Sequence, residues 1–519
     1  MTDIEATDIH AVEAVAPPVD PRRWKALSVI ALVQFMLVLD VTVVNVALPH
    51  IQSDLGFSRA GLAWVVDGYV LTAGGLLLLG GRLADLLGRR RMFMIGVAVF
   101  AGASALSGSA ADPGMLVASR FLQGVGEAIA SPAAFGLVAL LFTEPKERAQ
   151  AIGIFGGVAG LGGTLGPVIS GLLIAGLSWR WIFFVNVPVA VFAVLAVARM
   201  VDESRADRVP AGDGGSRPDV AGALVGTAGL CGVVYGFIAA GNHPWGSSQV
   251  VIPLVAGIAA LALFVGLERR AEEPLIPARF LRNTTRVTAN AANLIFASVF
   301  FTVFFLMTLY FEQTLHYSAL RTGLAYLPVG LFIGLGIAIS SSLVPKVGVK
   351  ALLVSGAAFF STGTLLLSRI TVHGSYWTES LPGLAVMALG AGLSFAAFGN
   401  ASMHEVSGQD ASLASGVNST AQSIGGSIGL ALLATLALRH ASHAAARGIP
   451  FTVAATNGAA LTFKIGAAIA FAGGVMVALI RFGGAPILTA SGAVYEDSVL
   501  DAGEGEDPAG EVVPVAAHL

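Results

Sequence analysis

The stretch that decides the fold reads LDVTVVNVALP and runs from Leu39 to Pro49. It closes an apolar run that starts near Ala26 and is long enough to cross the hydrocarbon core of a bilayer, which takes about 20 mostly apolar residues. One ionisable residue, Asp40, lies inside this run. Burying a charge at such a depth in the bilayer costs free energy, so we take Asp40 as a candidate functional residue.

The composition of the whole chain agrees with a membrane protein. Of the 519 residues, 55% are hydrophobic and only 12% are charged, about half of the roughly 25% usual in soluble domains. The mean hydropathy is +0.80. The single cysteine excludes an intrachain disulfide and a cysteine metal cluster, and the net charge of -3 argues against a nucleic-acid partner. The remaining class is an all-α integral membrane protein embedded in the lipid bilayer.

Fourteen stretches are predicted to span the membrane as helices, and no alternating pattern of β-barrel strands is present. They run near 26–48, 62–79, 92–110, 115–141, 150–176, 181–200, 220–240, 249–267, 287–311, 322–344, 350–370, 381–403, 411–437 and 459–481. The first stretch is too long for a cleaved signal peptide, so it is interpreted as a retained helix.

Lysine and arginine positions predict the orientation. With fourteen spans, 21 of the 29 basic residues fall on the side of the two termini and 6 on the other. Positive residues favour the cytoplasm, so both termini are predicted to be cytoplasmic, in a bacterial inner or plasma membrane. The predicted parts are a cytoplasmic tail (1–25), a six-helix bundle (26–200), two inserted helices with cytoplasmic linkers (201–286), a second six-helix bundle (287–481) and a disordered acidic tail (482–519).

A second charge, Arg120 in the fourth span, is predicted to meet Asp40. Asp40 lies about 21 Å from the cytoplasmic face, and Arg120 about 8 Å from the outer face. In a core of about 30 Å these depths match. The pair is interpreted as a proton-coupling site, because protonation of the acid would separate the two charges. The alternative is a static ion pair that holds the helices together.

Three further acids lie in or beside spans. Glu127 follows Arg120 by two helical turns on the same face, where burial would favour its protonated form and let it exchange protons; alternatively, it is a protonated acid bonded between helices. Asp67 in the second span is a weaker candidate for substrate binding, since it could sit in interfacial water. Glu312, at the outer end of the ninth span, is predicted to be solvated.

Side-chain amides form the other candidate contacts with a substrate. Gln34 and Asn45 are eleven residues apart, close to three turns, and therefore share one face of the first helix. Asn418 and Gln422 form a polar patch on the thirteenth span. Each of these amides could bind either a ligand or a neighbouring helix.

Two glycine-containing segments are candidate gates. The loop 81–91 has Gly81 and Gly88 for close approach and a tight turn, and its Asp85, Arg89 and Arg90 could form an ion-pair latch or serve only as a positive-inside anchor. In the fifth span, the pair Gly166-Pro167 predicts a kink and a flat packing surface, or else ordinary small-residue packing.

The sequence offers no sign of an enzyme. It contains neither the phosphate-cradling loop of ATP-driven pumps nor an intramembrane HExxH motif. No cofactor is therefore expected, and a proton gradient is the candidate source of energy.

These motifs together resemble the major facilitator superfamily, and more closely its fourteen-helix drug:proton antiporters. The run 39–49 matches the pattern L-D-x-T-V-V-N-V-A-L-P, and 81–91 matches G-x-L-A-D-x-x-G-R-R with Leu86 where a basic residue is usual. The run 120–126 resembles the arginine motif of the fourth helix, followed by Glu127 where a small residue is common. The glycines of 153–171 resemble the antiporter motif, with Ser170 replacing one of them.

The resemblance implies a major facilitator fold of 6+2+6 helices that works by alternating access. It also implies that Asp40 and Arg120 couple protons and that Asp85 and Arg89 gate the cytoplasmic side. The expected function is proton-driven efflux of a lipophilic small molecule or antibiotic, including cationic ones, by a protein functional as a monomer. The alternatives are a metabolite or siderophore transporter of the same fold and a membrane sensor that transports nothing.

Overall fold

The computed structural model describes residues 22–142, 144–201, 219–271, 274–404, 406, 411–480, 487–488 and 494–495. Its helices are α1 (Arg23–Leu55), α2 (Trp64–Leu87), α3 (Arg89–Gly108), α4 (Pro113–Leu141), α5 (Pro145–Gly176), α6 (Trp181–Phe184), α7 (Asn186–Met200), α8 (Val220–Ala239), α9 (Ser248–Glu268), α10 (Ala278–Leu281), α11 (Thr284–Leu309), α12 (Ala319–Ala325), α13 (Leu327–Leu367), α14 (Leu381–Ser402), α15 (Ala411–Ala446) and α16 (Phe451–Leu479). A 3-10 turn (Gly61–Ala63) and two π-helical turns (Tyr310–Thr314 and Tyr376–Ser380) complete the helical elements.

Two short strands, β1 (Ile487–Leu488) and β2 (Val494–Tyr495), pair antiparallel beyond the last helix. Most of the predicted tails, 1–25 and 482–519, and most of the linker 201–219 lie outside the described residues.

Local sequence sets several helix ends. Asp112 accepts a hydrogen bond from the backbone nitrogen of Met115 at 3.0 Å and caps α4, and Pro113 occupies the first helical position, where its missing N–H has no consequence. At the other end of α1, Gly56 adopts a φ of +71° and stops the helix.

The predicted spans agree with the helices except at two places. Thirteen helical segments of the described chain are long and apolar enough to cross a membrane. The predicted span 150–176 falls on α5, whose apolar part, Leu165–Gly176, is shorter, so the count of fourteen remains a prediction. The span 181–200 is interrupted at Val185. The predicted spans 322–344 and 350–370 are confirmed as two separate spans, Ala319–Val344 and Lys346–Leu367. They meet in α13 near the non-helical Gly348, whose φ of +77° turns the chain at no steric penalty.

The helices pack in three groups. In the first, α2 and α3 pack on α4, while α1 packs on α5 and α7. In the second, α11 packs on α15 and α13 on both α14 and α16. The inserted pair α8 and α9 pack on each other, and α8 also contacts α2 and α15, so that it covers a seam between the two larger groups.

Small residues allow these helices to approach closely, which is how spanning helices associate where lipid is as apolar as a leucine side chain. Gly126 on α4 shows the effect, because a methyl group there would lie 2.6 Å from the backbone nitrogen of Phe100 on α3. The close approach of α3 and α4 places the polar side chains of α4 against the centre of the first group.

Candidate functional site

The centre of the first group contains the predicted pair. Nη1 of Arg120 on α4 donates a hydrogen bond to Oδ2 of Asp40 on α1 at 2.5 Å. Asp40 is 0% exposed and Arg120 is 1% exposed. A proton or a water molecule can therefore reach the carboxylate only after the surrounding helices move.

Two neutral amides complete the surroundings of Asp40. Its Oδ1 accepts hydrogen bonds from Nε2 of Gln123 at 3.2 Å and from Nδ2 of Asn186 at 2.8 Å. Gln123 also donates to Oγ of Ser104 at 2.8 Å. The carboxylate thus receives donors from α4 and α7, which compensate part of its lost hydration.

Sequence reasoning missed Gln123 and Asn186 as partners of Asp40, and Ser104 as a partner of the two amides. Gln123 lies in the arginine motif 120–126 and Asn186 in the predicted span 181–200, but an amide in an apolar helix has no signature that shows which way it points.

Arg120 is held from several sides. Its Nε donates to the backbone oxygen of Val65 on α2 at 2.8 Å, and its guanidinium lies over the ring of Tyr69 at 4.3 Å. Glu127 lies one step further, with its carboxylate within hydrogen-bonding reach of the Tyr69 hydroxyl. The Tyr69 hydroxyl also donates to the backbone oxygen of Leu37 at 3.4 Å. Tyr69 therefore lies between Glu127 and Arg120, which itself pairs directly with Asp40.

The other face of α1 packs on α5. Oγ1 of Thr42 contacts the backbone oxygen of Gly162 at 3.4 Å, and Oγ of Ser170 donates to the backbone oxygen of Val43 at 2.7 Å. Gly166 faces Thr42 so closely that no side chain fits between them. Helix α1 therefore lies between the Asp40 site on one face and the glycines of α5 on the other.

Replacing Gly166 by leucine is expected to separate α5 from α1 and to abolish transport. The added side chain would enter the space of Thr42, and overpacking of this kind typically costs about 1–3 kcal/mol. Gly163 offers a matched control, because a methyl group there has no neighbour within 4 Å, and Gly163→Leu should keep both yield and transport. Size-exclusion yield and substrate efflux are measured for both variants. Equal behaviour of the two would contradict close packing at Gly166.

Helix α5 also contacts the second group. A methyl group on Gly171 would lie 2.7 Å from the backbone oxygen of Ala319, and Gly323 of α12 packs directly on Pro167. These contacts lie on the side where α1 ends, called the far side below; the near side is where α1 begins. The Gly166-Pro167 pair thus lies where the contacts of α5 change from α1 to α12.

Two polar pairs also join the groups on the far side. Nε2 of Gln313 donates to Oε1 of Gln52 at 3.2 Å, and Nδ1 of His50 lies 3.5 Å from Oε2 of Glu312. Glu312, predicted to be solvated, has only 6% of its side chain exposed. That prediction was wrong, because α1 and α12 cover the end of α11.

A cavity of about 250 Å³ opens beside these pairs. Gln52 and Arg59 line it from the first group, and Tyr310, Gln313 and Phe451 line it from the second. The guanidinium of Arg59 lies 3.6 Å from the centroid of the Phe451 ring. The cavity is mostly apolar with polar groups at its edge.

The near-side loop residues make their described contacts within the first group. Asp85 accepts hydrogen bonds from Nε and Nη2 of Arg89 at 3.0 and 2.8 Å. Arg89 also reaches the backbone oxygen of Gly136, and Arg90 donates to the backbone oxygen of Ala198. Gly88, with a φ of +105°, makes the turn that aligns these side chains, while Gly81 faces Pro132.

The predicted substrate residues do not form one cluster. Oε1 of Gln34 is buried without a hydrogen-bond partner in the described chain, and Nδ2 of Asn45 donates to Val41 of its own helix at 3.3 Å. Asn418 accepts hydrogen bonds from Asn293 at 2.9 Å and Ser402 at 3.1 Å. Gln422 is half-buried on the same helix. Their role in substrate binding remains a prediction.

Asp67 lies at the seam of the three groups of helices. It is 0% exposed, beside Ser427 of α15 and Cys231 of α8. Neither of its carboxyl oxygens has a hydrogen-bond partner among the described residues. The structure therefore places Asp67 in a dry seam and not in interfacial water.

Comparison with known proteins places this architecture in a family. Residues 30–430 match the model of the Major Facilitator Superfamily. The chain belongs to that superfamily. It is a transporter and not an enzyme, and with its many apolar helices it is a multi-pass protein of the cell membrane.

Relatives of similar length include antibiotic resistance and export proteins. The puromycin resistance protein pur8 of Streptomyces alboniger is 38% identical, covering 92% of this chain and 93% of the relative. The lincomycin resistance protein of Streptomyces lincolnensis is 35% identical over 83% and 88% of the two chains. The cephamycin export protein CmcT of Amycolatopsis lactamdurans is 36% identical over 79% and 84%.

The transporter also shares its fold with a solved structure. A bacterial homologue of the human lysosomal transporter Spinster, in an inward-facing and occupied conformation, superimposes with a TM-score of 0.62. The alignment covers 88% of this chain and 97% of that one at 14% identity. At that identity the likeness concerns the fold alone. Within the described ranges of the transporter, no group of three or more histidine, cysteine or acidic side chains could hold a metal ion.

Proposed function

We propose that this transporter is a proton-coupled efflux pump for a lipophilic small molecule or antibiotic, including cationic ones. The observation that carries the proposal is the buried carboxylate of Asp40, held by Arg120 from another helix of the same bundle. The cephamycin export protein among its relatives supports the direction of transport, and the puromycin and lincomycin resistance proteins support the class of substrate.

In the proposed cycle, the bundles 26–200 and 287–481 rock about a central site. The far side is the exterior and the near side, with its basic loops, is the cytoplasm. The bundles are joined on the far side through α5 and α12 and through the polar pairs of α1 and α11, as expected for a state that receives substrate from the cytoplasm.

Proton uptake at Asp40 is proposed to drive release of the substrate. When the far side opens, protonation of Asp40 removes its attraction for Arg120, and the α1–α4 contact loosens. Because α1 also packs on α5, this loosening reaches the seam with α12. After the pump returns to the near side, loss of the proton to the cytoplasm restores the ion pair. One proton moving down 100 mV releases about 2.3 kcal/mol, before any pH difference is added.

The remaining predicted residues have supporting roles in this proposal. Glu127, linked to Arg120 through Tyr69, is proposed as a second proton carrier. The cytoplasmic gate is formed by Asp85, Arg89 and Arg90 with the glycines of their loop. The pair Gly166-Pro167 is the flexible point of α5. The buried amides Gln34 and Asn45, the α15 pair Asn418 and Gln422, and Asp67 are proposed to contact substrate when the bundles separate.

Everted membrane vesicles test the proposal directly. Respiration acidifies their lumen, and addition of a transported antibiotic should raise the lumenal pH as protons leave in exchange. A panel with puromycin, a lincosamide, a cephalosporin and a lipophilic cation covers the chemical classes. We expect a response to at least one compound and its loss when an uncoupler collapses the gradient. Proton movement in the same direction as the substrate would instead favour an importer. No change of lumenal pH with any compound would favour a metabolite or siderophore transporter, or a sensor.

A further inference from the structure

The transport cycle above assigns no proton to one buried acid, Glu312, although its contact with His50 helps to join the bundles. Only 6% of its side chain is exposed, and its Oε1 has no hydrogen-bond partner among the described residues. Its other oxygen lies 3.5 Å from Nδ1 of His50, which belongs to the opposite bundle. We propose that His50 and Glu312 form a proton-binding site that holds one proton while the far side is closed and releases it when the far side opens.

While the far side is closed, the pair of His50 and Glu312 is expected to carry no net charge. A lone carboxylate is expensive to bury, and a second proton would leave a net positive charge on a pair in which the Glu312 side chain is 6% exposed and the His50 side chain 42% exposed. The closed pair therefore holds one proton in either of two forms, a protonated acid beside neutral histidine or an imidazolium beside a carboxylate. In both forms the pair is neutral.

Among the described residues of the elements packed on its turn, no other charge is placed to compensate Glu312. The elements packed on its turn are α11, α12 and α16, and α1 faces it from the other bundle. On α12, Thr322 lies beside the carboxyl group, while Arg321 stacks on Tyr317 at 3.8 Å. The first ten residues of α16, Phe451–Ala460, contain no charged side chain.

The tyrosines near Glu312 and the next acid on α1 are otherwise engaged. The hydroxyl of Tyr326 donates to the backbone oxygen of Phe304, and that of Tyr310 to the backbone oxygen of Thr371. Asp54 of α1 accepts hydrogen bonds from Arg180 and Trp179. Arg59, which lines the neighbouring cavity, lies over the ring of Phe451, and His316 is exposed. His50 is therefore the cationic partner available to Glu312 in this part of the described chain.

Separation of the bundles removes the constraint of neutrality. In water, glutamate and histidine titrate near pH 4.3 and 6.5. Above about pH 6.5 the separated pair holds no proton, so opening releases one. Between about pH 4.5 and 6.5 the histidine keeps its proton, and opening changes nothing. The ratio of open to closed protein should thus be flat in the acid range and rise up to tenfold per pH unit above about 6.5.

This proton returns to the side from which it came. The pair would therefore set how readily the far side opens at a given external pH, and it would leave the number of protons exchanged per substrate unchanged. In this respect it differs from Asp40, whose proton crosses the membrane in the proposed function.

Distance measurements between spin labels test the proposal on the full chain in lipid nanodiscs. Ser109 and Ser375 are exposed on the far side of the first and second bundles, and each is changed to cysteine and labelled. Cys231, the single native cysteine, is changed to serine so that it takes up no label. Asp40 is changed to asparagine so that its own titration does not contribute to the pH profile. The populations of short and long distances are recorded from pH 4.5 to 9.

Two substitutions give opposite signatures. Glu312→Gln cannot lose a proton, so the rise above pH 6.5 should disappear. His50→Asn leaves a buried acid that must stay protonated when closed, so the rise should begin about two units lower, near pH 4.5. Asp54→Asn, one turn beyond His50, is the matched control and should keep the parent profile.

Several outcomes would overturn the proposal. They are a flat profile above pH 6.5 in the parent protein, an unchanged rise in Glu312→Gln, and an unchanged profile in His50→Asn. Because the parent already lacks Asp40, none of these results depends on whether Asp40 couples protons. A variant that fails to fold is recognised by its size-exclusion profile, and the other substitution then decides the matter.

Discussion

Asp40→Asn is expected to abolish proton-driven export while the protein remains folded in the membrane. Asparagine has the size of aspartate and still offers an oxygen to Arg120, but its charge cannot change with pH. In everted vesicles, the antibiotic-induced rise in lumenal pH should disappear. Exchange of labelled for unlabelled substrate across the membrane needs no net proton movement and should persist.

Asp54→Asn is the control on the same helix. Asp54 also pairs with an arginine, Arg180, but 45% of its side chain is exposed. Exposed ion pairs contribute little, so this variant should export normally. Full proton-driven export by Asp40→Asn would remove Asp40 from the mechanism, and loss of exchange in that variant would point to a role in holding the substrate or the fold.

Removal of Arg120 is expected to destabilise the protein strongly. Arg120→Ala leaves the buried Asp40 with only the neutral donors Gln123 and Asn186. Breaking a buried ion pair by deleting one partner typically costs about 3–5 kcal/mol, because the other charge stays buried. The apparent melting temperature, followed by size exclusion of heated samples, should fall well below that of the parent.

A double substitution separates charge from packing. In Asp40→Asn no negative charge remains to be neutralised, so adding Arg120→Ala there should lower the melting temperature by less than it does alone. Arg180→Ala removes an exposed arginine, with 35% of its side chain accessible, and should have little effect. Equal losses from Arg120→Ala in the two backgrounds would show that the guanidinium stabilises by packing on Tyr69 and Phe183 and not by pairing with Asp40.

The sequence predicted the helices well because their cause is local. Apolar runs of spanning length must form helices in lipid, where every backbone polar group needs an internal partner. Span edges followed from hydropathy to within a few residues for most helices. The break at Val185 was missed, since it lies inside apolar sequence and changes no composition. The turn near Gly348 was predicted as the connection between two spans, because Lys346 and Lys350 interrupt the apolar run there.

The candidate site was predictable in part. Charges inside spans are rare enough to be noticed. Because Asp40 and Arg120 lie at matching depths on two antiparallel helices, the sequence predicted that they form a pair. Gln123, Asn186 and Ser104 escaped notice, because neutral polar residues are common in spans and their partners depend on which faces meet. Glu312 was misjudged for the same reason: its position at a helix end predicts water, but a helix of the other bundle covers it.

Hydropathy, basic-residue bias and the motifs at 39–49, 81–91 and 120–126 determined the class of protein, its predicted orientation and its resemblance to drug:proton antiporters. Only the tertiary structure decided what each polar side chain meets. It enclosed Asp40 with donors from α4 and α7, buried Asp67 between α2, α8 and α15, and placed His50 against Glu312 across the bundles. The physical reason is that periodicity along one helix specifies a face, whereas burial and charge pairing depend on the other helices packed against that face.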